Sequence, residues 1–207
     1  MIQLASESVA IRIDPGHGGE VVDLIDLRSG RQLLGRPPFA SDQALSGELD
    51  ETTWTRSYRG GWQLLVPNAG NACVVDGISH GFHGRASTDR WDVAAVGPDA
   101  AELTWAGHDL QVRRSFVLQG DAVTVRSTVV AERAAALVWV EHIALGIELL
   151  DPSVDITLPG GQAYEVSEHS GPATPPASAA AWPEARLLDG TLERADRAIL
   201  TTPRSRL

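Results

Sequence analysis

The residues best suited to chemistry are concentrated between Arg59 and Arg85. The stretch opens with Arg59-Gly60-Gly61-Trp62 and continues through Asn68 to His80-Gly81-Phe82-His83. Glycines beside Arg, Asn, Trp and His allow tight backbone turns that bring polar side chains to one opening. Aromatic rings in such a place can stack on a ligand or fill a core. The stretch therefore predicts a pocket for a small polar ligand.

Histidine is the natural proton donor here, because an imidazole titrates near neutral pH. His80 and His83 belong to the stretch, whereas His142 follows later in an apolar run at residues 138–143. A histidine in such a run is commonly a hydrogen-bonded core residue, so the residues alone leave both interpretations of His142 open. The remaining histidines fall in turns or polar stretches and are predicted to lie at the surface: His17, His108 and His169.

A metal site is another interpretation of His80, His83 and His142. Imidazoles at the rim of a β-sandwich can bind Zn or Fe when a carboxylate completes the site. The spacing His80-x-x-His83 on a glycine-rich turn matches neither a helical i, i+4 pair nor the His-x-His pattern of a strand. We therefore assign no metal ligands and keep a metal-dependent sandwich enzyme as a third hypothesis.

The amino-acid composition disfavours or excludes several classes of partner and chemistry. The 17 basic residues are all arginine and face 27 acidic ones, for a net charge of −10, which disfavours binding to a nucleic-acid backbone. Without lysine, Schiff-base chemistry and a Walker-type phosphate loop are excluded. We find no signal-peptide pattern and no apolar segment long enough to span a membrane. The lone Cys73 beside two valines is predicted to be a buried strand residue, and a cytoplasmic location is expected.

Strands must position these residues. Alternating or β-branched runs bounded by turn residues predict strands at 9–13, 20–27 and 31–34, then a meander of antiparallel strands at 91–96, 101–106, 110–119 and 122–131. A longer strand at 135–149 is predicted to be buried on both faces, with Glu141 and His142 on opposite sides. Four tryptophans are predicted to be core aromatics on strands: Trp54, Trp91, Trp105 and Trp139. We expect one all-β antiparallel domain over 1–207, with 171–207 as a poorly defined tail or an incomplete C-terminal part.

Several of these motifs, in this order, resemble the aldose 1-epimerase (galactose mutarotase-like) family. They are Pro15-Gly16-His17-Gly18-Gly19, Arg59-Gly60-Gly61, Pro67-Asn68-x-Gly70, His80-Gly81-Phe82 and the strand histidine His142. The match is colinear over about residues 8 to 160. The resemblance implies a galactose mutarotase-like β-supersandwich, without a cofactor, that holds an aldose or phosphosugar on its concave face.

The resemblance also implies roles for residues. In that family a histidine protonates the sugar ring oxygen while a glutamate takes the proton of the anomeric hydroxyl. His142 is similar to the general acid, and Arg59 and His80 are similar to residues around the sugar hydroxyls. Arg85 is similar to the arginine that closes the His-Gly-Phe motif, although His83-Gly84 separates it from Phe82. We accordingly predict His142 and His80 as catalytic residues and the following as sugar-binding residues: Arg59, Trp62, Asn68, His83 and Arg85.

The glutamate base has no counterpart on a strand near the end of the chain. Glu141 faces away from His142, Glu165 and Glu168 come too early in the strand order, and Glu184 and Glu193 lie in the tail. Either the chain is a truncated or diverged relative, or another carboxylate has replaced that glutamate. Mutarotation is therefore the leading hypothesis, and sugar binding without turnover is the alternative. The sequence does not indicate which sugar is bound or the oligomeric state.

Overall fold

The computed structural model describes residues 1–38, 40, 46–149, 162–163, 180–181, 183–186 and 191–194. Every strand pair among them is antiparallel, which confirms the predicted all-β class. The chain forms two compact units, Met1–Gly146 and Ile147–Leu207. Across the described part of the chain, no helix has the length and apolar character of a membrane-spanning segment.

The described residues of the first unit form twelve strands, one α-helix and a short 3-10 helix at Arg85–Ser87. In chain order they are β1 (Ile2–Ala5), β2 (Val9–Asp14), β3 (Glu20–Asp26), β4 (Arg31–Gln32), α1 (Glu51–Ser57), β5 (Trp62–Leu65), β6 (Cys73–Val75), β7 (Ile78–His80), β8 (Asp92–Val96), β9 (Ala100–Gly107), β10 (Leu110–Gln119), β11 (Ala122–Ala131) and β12 (Val140–Ile143).

Two sheets organise this unit. The first sheet has the order β1-β2-β3-β5-β12, with β4 also paired to β3, and the second has the order β11-β10-β9-β8. Strands β6 and β7 form a separate hairpin. The second sheet is the predicted meander, and β10 and β11 have the predicted bounds.

The core forms where alternating apolar residues of the two sheets meet. On β10 every second residue from Leu110 to Leu118 is buried, because side chains alternate between the two faces of a strand. The apolar side chains among them cluster with Ile11 and Ile13 of β2 and with Leu64 of β5. Burial of such side chains stabilises a domain by roughly 25 cal/mol per Å² of apolar surface. Each strand of the first sheet is thereby left with a second face that can carry polar residues.

Helix α1 was not predicted from the sequence. It begins directly after its capping residue, Asp50. Asp50 accepts hydrogen bonds from the backbone N–H of Thr53 at 2.8 Å and from its hydroxyl at 3.0 Å. Such a cap satisfies a backbone donor that the first turn of a helix leaves free. Trp54 is thus a helix residue and not the strand residue predicted, whereas Trp91 and Trp105 are buried in the core as expected.

The predicted strand at 135–149, buried on both faces, is wrong. Only Val140–Ile143 is a strand, and Val138 and Ile143 are about half exposed, at 50% and 45%. Beyond Ile143 the backbone pairs with residues outside the strands: Ala144 N–H donates to the Gly61 carbonyl at 2.8 Å, and Gly146 N–H donates to the Leu33 carbonyl at 2.9 Å.

The second unit is described in part. It has a 3-10 turn at Ile147–Leu149 and two short strand pairs. Strand β13 (Gln162–Ala163) pairs with β14 (Ala180–Ala181), and β15 (Glu184–Arg186) pairs with β16 (Leu192–Arg194). The predicted surface residue His169 and the carboxylates Glu165 and Glu168 lie outside the described residues.

Candidate functional site

Four polar residues form a row across four neighbouring strands of the first sheet. Asp14 pairs with Glu20 between β2 and β3, and Gln63 pairs with His142 between β5 and β12. Val21 pairs with Trp62, so Glu20 and Gln63 are neighbours on the opposite face. That face, called the polar face below, points away from the core.

Arg59 bridges Asp14 and Glu20, the first two residues of the row. Its guanidinium bonds the Asp14 carboxylate at 2.7 Å and forms a second ion pair with Glu20. Glu20 also accepts a hydrogen bond from the Gln63 amide at 2.8 Å. The Arg59 side chain is 7% exposed and that of Glu20 is 0% exposed. Charged groups this deeply buried require such partners.

Burial also shifts the titration of this network. It raises the pKa of Glu20 to about 7, against the opposing attraction of Arg59. Burial, with repulsion by Arg59, lowers the pKa of His17 to about 4. Although burial alone would raise the pKa of Asp14, the hydrogen bond and charge of Arg59 hold it below its usual value. Neutral pH therefore leaves His17 uncharged and places Glu20 near its midpoint.

Rings surround the other end of the row. His142 lies 5.5 Å from the Tyr58 ring, 6.1 Å from the His83 ring and 6.3 Å from the Trp54 ring, measured between centroids. His83 packs edge-on against Trp54 at 4.4 Å and lies 3.9 Å from Phe82. Burial lowers the pKa of His142, and burial together with His142 lowers that of His83 to about 4. Both imidazoles are mostly neutral at pH 7 as a result.

Buried polar atoms without a hydrogen-bond partner are concentrated on the polar face. Six of those found among the described residues belong there: both ring nitrogens of His17, Arg59 Nε, Gln63 Oε1, His83 Nδ1 and His142 Nδ1. Glu20 Oε1 faces Arg59 in an ion pair without the alignment of a hydrogen bond. Buried polar atoms in folded proteins are normally paired, and such a concentration is typical of a site for a polar ligand.

The predicted residues His142, Arg59 and His83 therefore meet at the polar face, but His80 packs elsewhere. The His80 ring lies 5.0 Å from that of His108, which bonds Glu48 at 2.6 Å. His80 and His108 line a shallow cavity with Pro67 and other residues. Among the described residues, the His80 ring thus packs against His108 and not against the rings around His142.

Three other predicted sugar-binding residues have partners within the protein. Asn68 donates to the backbone carbonyls of Gly70, Asn71 and Gly81 at 3.3, 2.9 and 3.0 Å, which braces the loop. Arg85 pairs with Asp89 at 2.9 Å.

Trp62, the third, lies on the core-side face of β5 and not on the polar face. Its ring nitrogen donates to Glu141 at 2.6 Å. A role for Trp62 in sugar binding therefore finds no support in its position.

Three residues of this site, His17, Asp14 and Glu20, were not predicted from the sequence. His17, predicted to lie at the surface, is 1% exposed because its turn is held by the bond from Gly18 N–H to the Asp89 carbonyl at 2.8 Å. Asp14 and Glu20 flank the same turn. Each follows or precedes an apolar residue, Ile13 or Val21, and this alternation in the sequence could have placed the two carboxylates on the face opposite the core. Their convergence with Arg59 depends on strand order, which the sequence does not show.

A solved structure has a similar arrangement of strands. A galactose mutarotase-like protein from Clostridium acetobutylicum matches with a TM-score of 0.60 at 17% identity, over 91% of this chain and 64% of that one. The fold is galactose mutarotase-like. This confirms the fold that the resemblance implied. A similarity at 17% identity shows the fold and no further property of the protein.

Two further structures with that fold name match over less of the chain. A galactose mutarotase-like protein from Lactobacillus casei has 16% identity and a TM-score of 0.47, over 64% of this chain and 44% of that one. A galactose mutarotase related enzyme from Lactobacillus acidophilus has 13% identity and a TM-score of 0.47, over 62% and 42%. This chain thus spans 42% to 64% of the length of these structures. No protein-family model and no curated protein matches the sequence.

Proposed function

We propose that the polar face binds an aldose and that the chain interconverts its anomers. The observation that carries the proposal is the set of buried, unpaired nitrogen and oxygen atoms on the polar face, where His142 lies beside the rings of Trp54 and Tyr58. Each sugar hydroxyl both donates and accepts hydrogen bonds, so an aldose can satisfy imidazole and guanidinium groups together. Its apolar C–H faces suit aromatic rings.

His142 is the proposed general acid. In mutarotation the anomeric hydroxyl loses its proton, a carbonyl forms at C1, and the bond between C1 and the ring oxygen breaks as that oxygen gains a proton. Rotation about the adjacent bond and the reverse steps give the other anomer, so atoms and charge balance without a cofactor. The imidazolium form of His142 gives its Nε2 proton to the ring oxygen while water takes up the proton of the anomeric hydroxyl, and the reverse steps restore both.

The substrate is proposed to be a neutral aldose in preference to a phosphosugar. A phosphate needs cationic donors, and Arg59 already faces Asp14 and Glu20. A phosphosugar therefore serves as a comparison in the test below.

Polarimetry of freshly dissolved α-glucose, α-galactose and glucose 6-phosphate, with and without the protein, tests the activity. The wild-type protein should accelerate the approach to equilibrium of a neutral sugar, and His142→Ala should lose at least about 100-fold of that acceleration, the lower range for a positioned acid. Gln111→Ala, on the exposed side of β10, is the matched control. Acceleration that persists in His142→Ala would remove His142 from the mechanism.

Sugar binding without turnover is the second candidate, because no described carboxylate has been identified as the base for the anomeric hydroxyl. Calorimetric titration with the same sugars separates the two functions: heat of binding without polarimetric acceleration would favour the binding protein. The metal-dependent alternative has weaker support, since the described His, Cys, Asp and Glu side chains include no group of three placed to hold an ion. Metal analysis of the purified protein checks it directly.

A further inference from the structure

Gln63 and His142 face each other with complementary unpaired atoms. They are direct partners in the β5–β12 ladder, and opposite residues in antiparallel strands have Cβ atoms about 4.5–5.5 Å apart. Gln63 Oε1 and His142 Nδ1 are both buried and without a hydrogen-bond partner. One is an obligate acceptor, and the other is a donor whenever Nδ1 carries the proton. A hydrogen bond between them would satisfy both buried atoms.

Glu20 determines which end of the Gln63 amide faces His142. The Gln63 NH2 group donates to Glu20 at 2.8 Å. An ionised carboxylate only accepts hydrogen bonds, so it holds the NH2 end of the amide and leaves the oxygen end free. Arg59, bonded to Asp14 and ion-paired with Glu20, fixes the carboxylate in turn. The contacts that run from Asp14 through Arg59 and Glu20 thus fix the orientation of the Gln63 amide.

We propose that Glu20 and Gln63 are positioning residues that set the tautomer of His142. Gln63 Oε1 accepts from His142 Nδ1–H in both the neutral and the cationic ring, so the other ring nitrogen, Nε2, faces the ligand and is the one that gains and gives up a proton. A histidine tautomer is set by the hydrogen bond that its second nitrogen makes. The catalytic meaning of this tautomer rests on the proposed function, but the tautomer itself does not.

The test is ¹⁵N NMR of histidine-labelled protein without sugar at pH 8, where Glu20 is mainly ionised. The His142 signals are assigned by their absence in His142→Ala. We expect the Nδ1–H tautomer in the wild-type protein. Gln63→Met, which keeps the length of the side chain but removes the acceptor, should shift His142 to the Nε2–H tautomer. Gln111→Met should leave it unchanged.

A carboxylate swap keeps the test decisive if Gln63→Met unfolds. In the double variant Glu20→Gln with Gln63→Glu, the carboxylate moved to position 63 can accept from both the amide placed at position 20 and His142. The Nδ1–H tautomer should therefore be retained. An Nε2–H tautomer in the wild-type protein would overturn the proposal. So would an unchanged Nδ1–H tautomer in a folded Gln63→Met variant.

The kinetic consequence is separable from this result. Where the wild-type protein catalyses mutarotation, Gln63→Met should lower kcat by about 10-fold to 100-fold, the range found for partners that orient metal-binding histidines, with little change in KM. Where it does not, the proposed activity fails, and the NMR result alone still decides the tautomer.

Discussion

Glu141 and His142 are consecutive residues whose side chains leave β12 on opposite faces. Glu141 turns to the core side, where it accepts from Arg114 of β10 at 3.1 and 2.7 Å. His142 turns to the polar face beside Gln63. One short strand therefore joins the two sheets and supplies the proposed acid, so the stability of this pairing and the geometry of the site are linked.

The Arg114–Glu141 pair should respond unequally to loss of either partner. The Arg114 side chain is 1% exposed and Glu141 is 33% exposed. Glu141→Ala leaves a buried cation without its partner and should lower the free energy of unfolding by about 3–5 kcal/mol. Arg114→Met leaves a carboxylate that water can reach and should cost less. Urea denaturation of both variants measures the difference.

The exposed pair Arg133–Asp109 is the control for that prediction. Its side chains are 57% and 47% exposed, so Arg133→Ala should change the free energy of unfolding by less than about 1 kcal/mol. Equal costs for Glu141→Ala and Arg114→Met would show that burial of the guanidinium is not the source of the effect.

Gly60, next to Arg59, should tolerate no side chain. Its φ is +79°, and a Cβ there would lie 2.1 Å from the Gly35 carbonyl oxygen. Gly30 has a similar φ of +71° but open space around it. Gly30→Ala should therefore cost about 1–2 kcal/mol from backbone strain alone, and Gly60→Ala clearly more, because the backbone must also move. Thermal unfolding measures both, and similar costs would mean that the loop at Gly35 yields freely.

The strands of the second sheet could be predicted from the sequence because they depend on local features, namely alternating side chains and the turn residues between them. Residues 110–119 and 122–131 alternate apolar and polar side chains between turn residues, and their bounds were predicted correctly. Cys73 was predicted to be buried, and this is wrong: it is exposed, because its hairpin belongs to neither sheet. Two adjacent valines indicate a strand but not what covers it.

The site was predictable only where a motif named its residues. Arg59, His83 and His142 were proposed from motifs, and the structure brings them to one face. The polar row needed the register that sets Asp14 opposite Glu20 and Gln63 opposite His142, and the second of these pairings joins strands that are far apart in the chain. The burial of His17 likewise depends on a distant loop at Asp89. Sequence periodicity carries neither relationship.

Two buried groups should give opposite pH dependences of stability. Burial lowers the pKa of His83 to about 4 from an ordinary value of 6.5. Between these values the unfolded chain binds a proton that the folded protein does not, so stability falls as the pH drops from 6.5 towards 4. Burial raises the pKa of Glu20 from 4.5 to about 7. In that window the folded protein keeps the proton, so stability falls as the pH rises from 4.5 towards 7.

Variants separate the two contributions. His83→Asn suits the positive φ of 62° at this position, because Asn tolerates that conformation, and it should gain stability relative to the wild-type protein as the pH falls from 6.5 to 4. Glu20→Gln should gain relative to the wild-type protein as the pH rises from 4.5 to 7. Each change should be on the order of 1–3 kcal/mol, since one unit of pKa shift corresponds to about 1.4 kcal/mol. Urea denaturation at half-unit pH intervals measures both, and a difference from wild type that does not vary with pH would exclude the corresponding group as a source of the dependence.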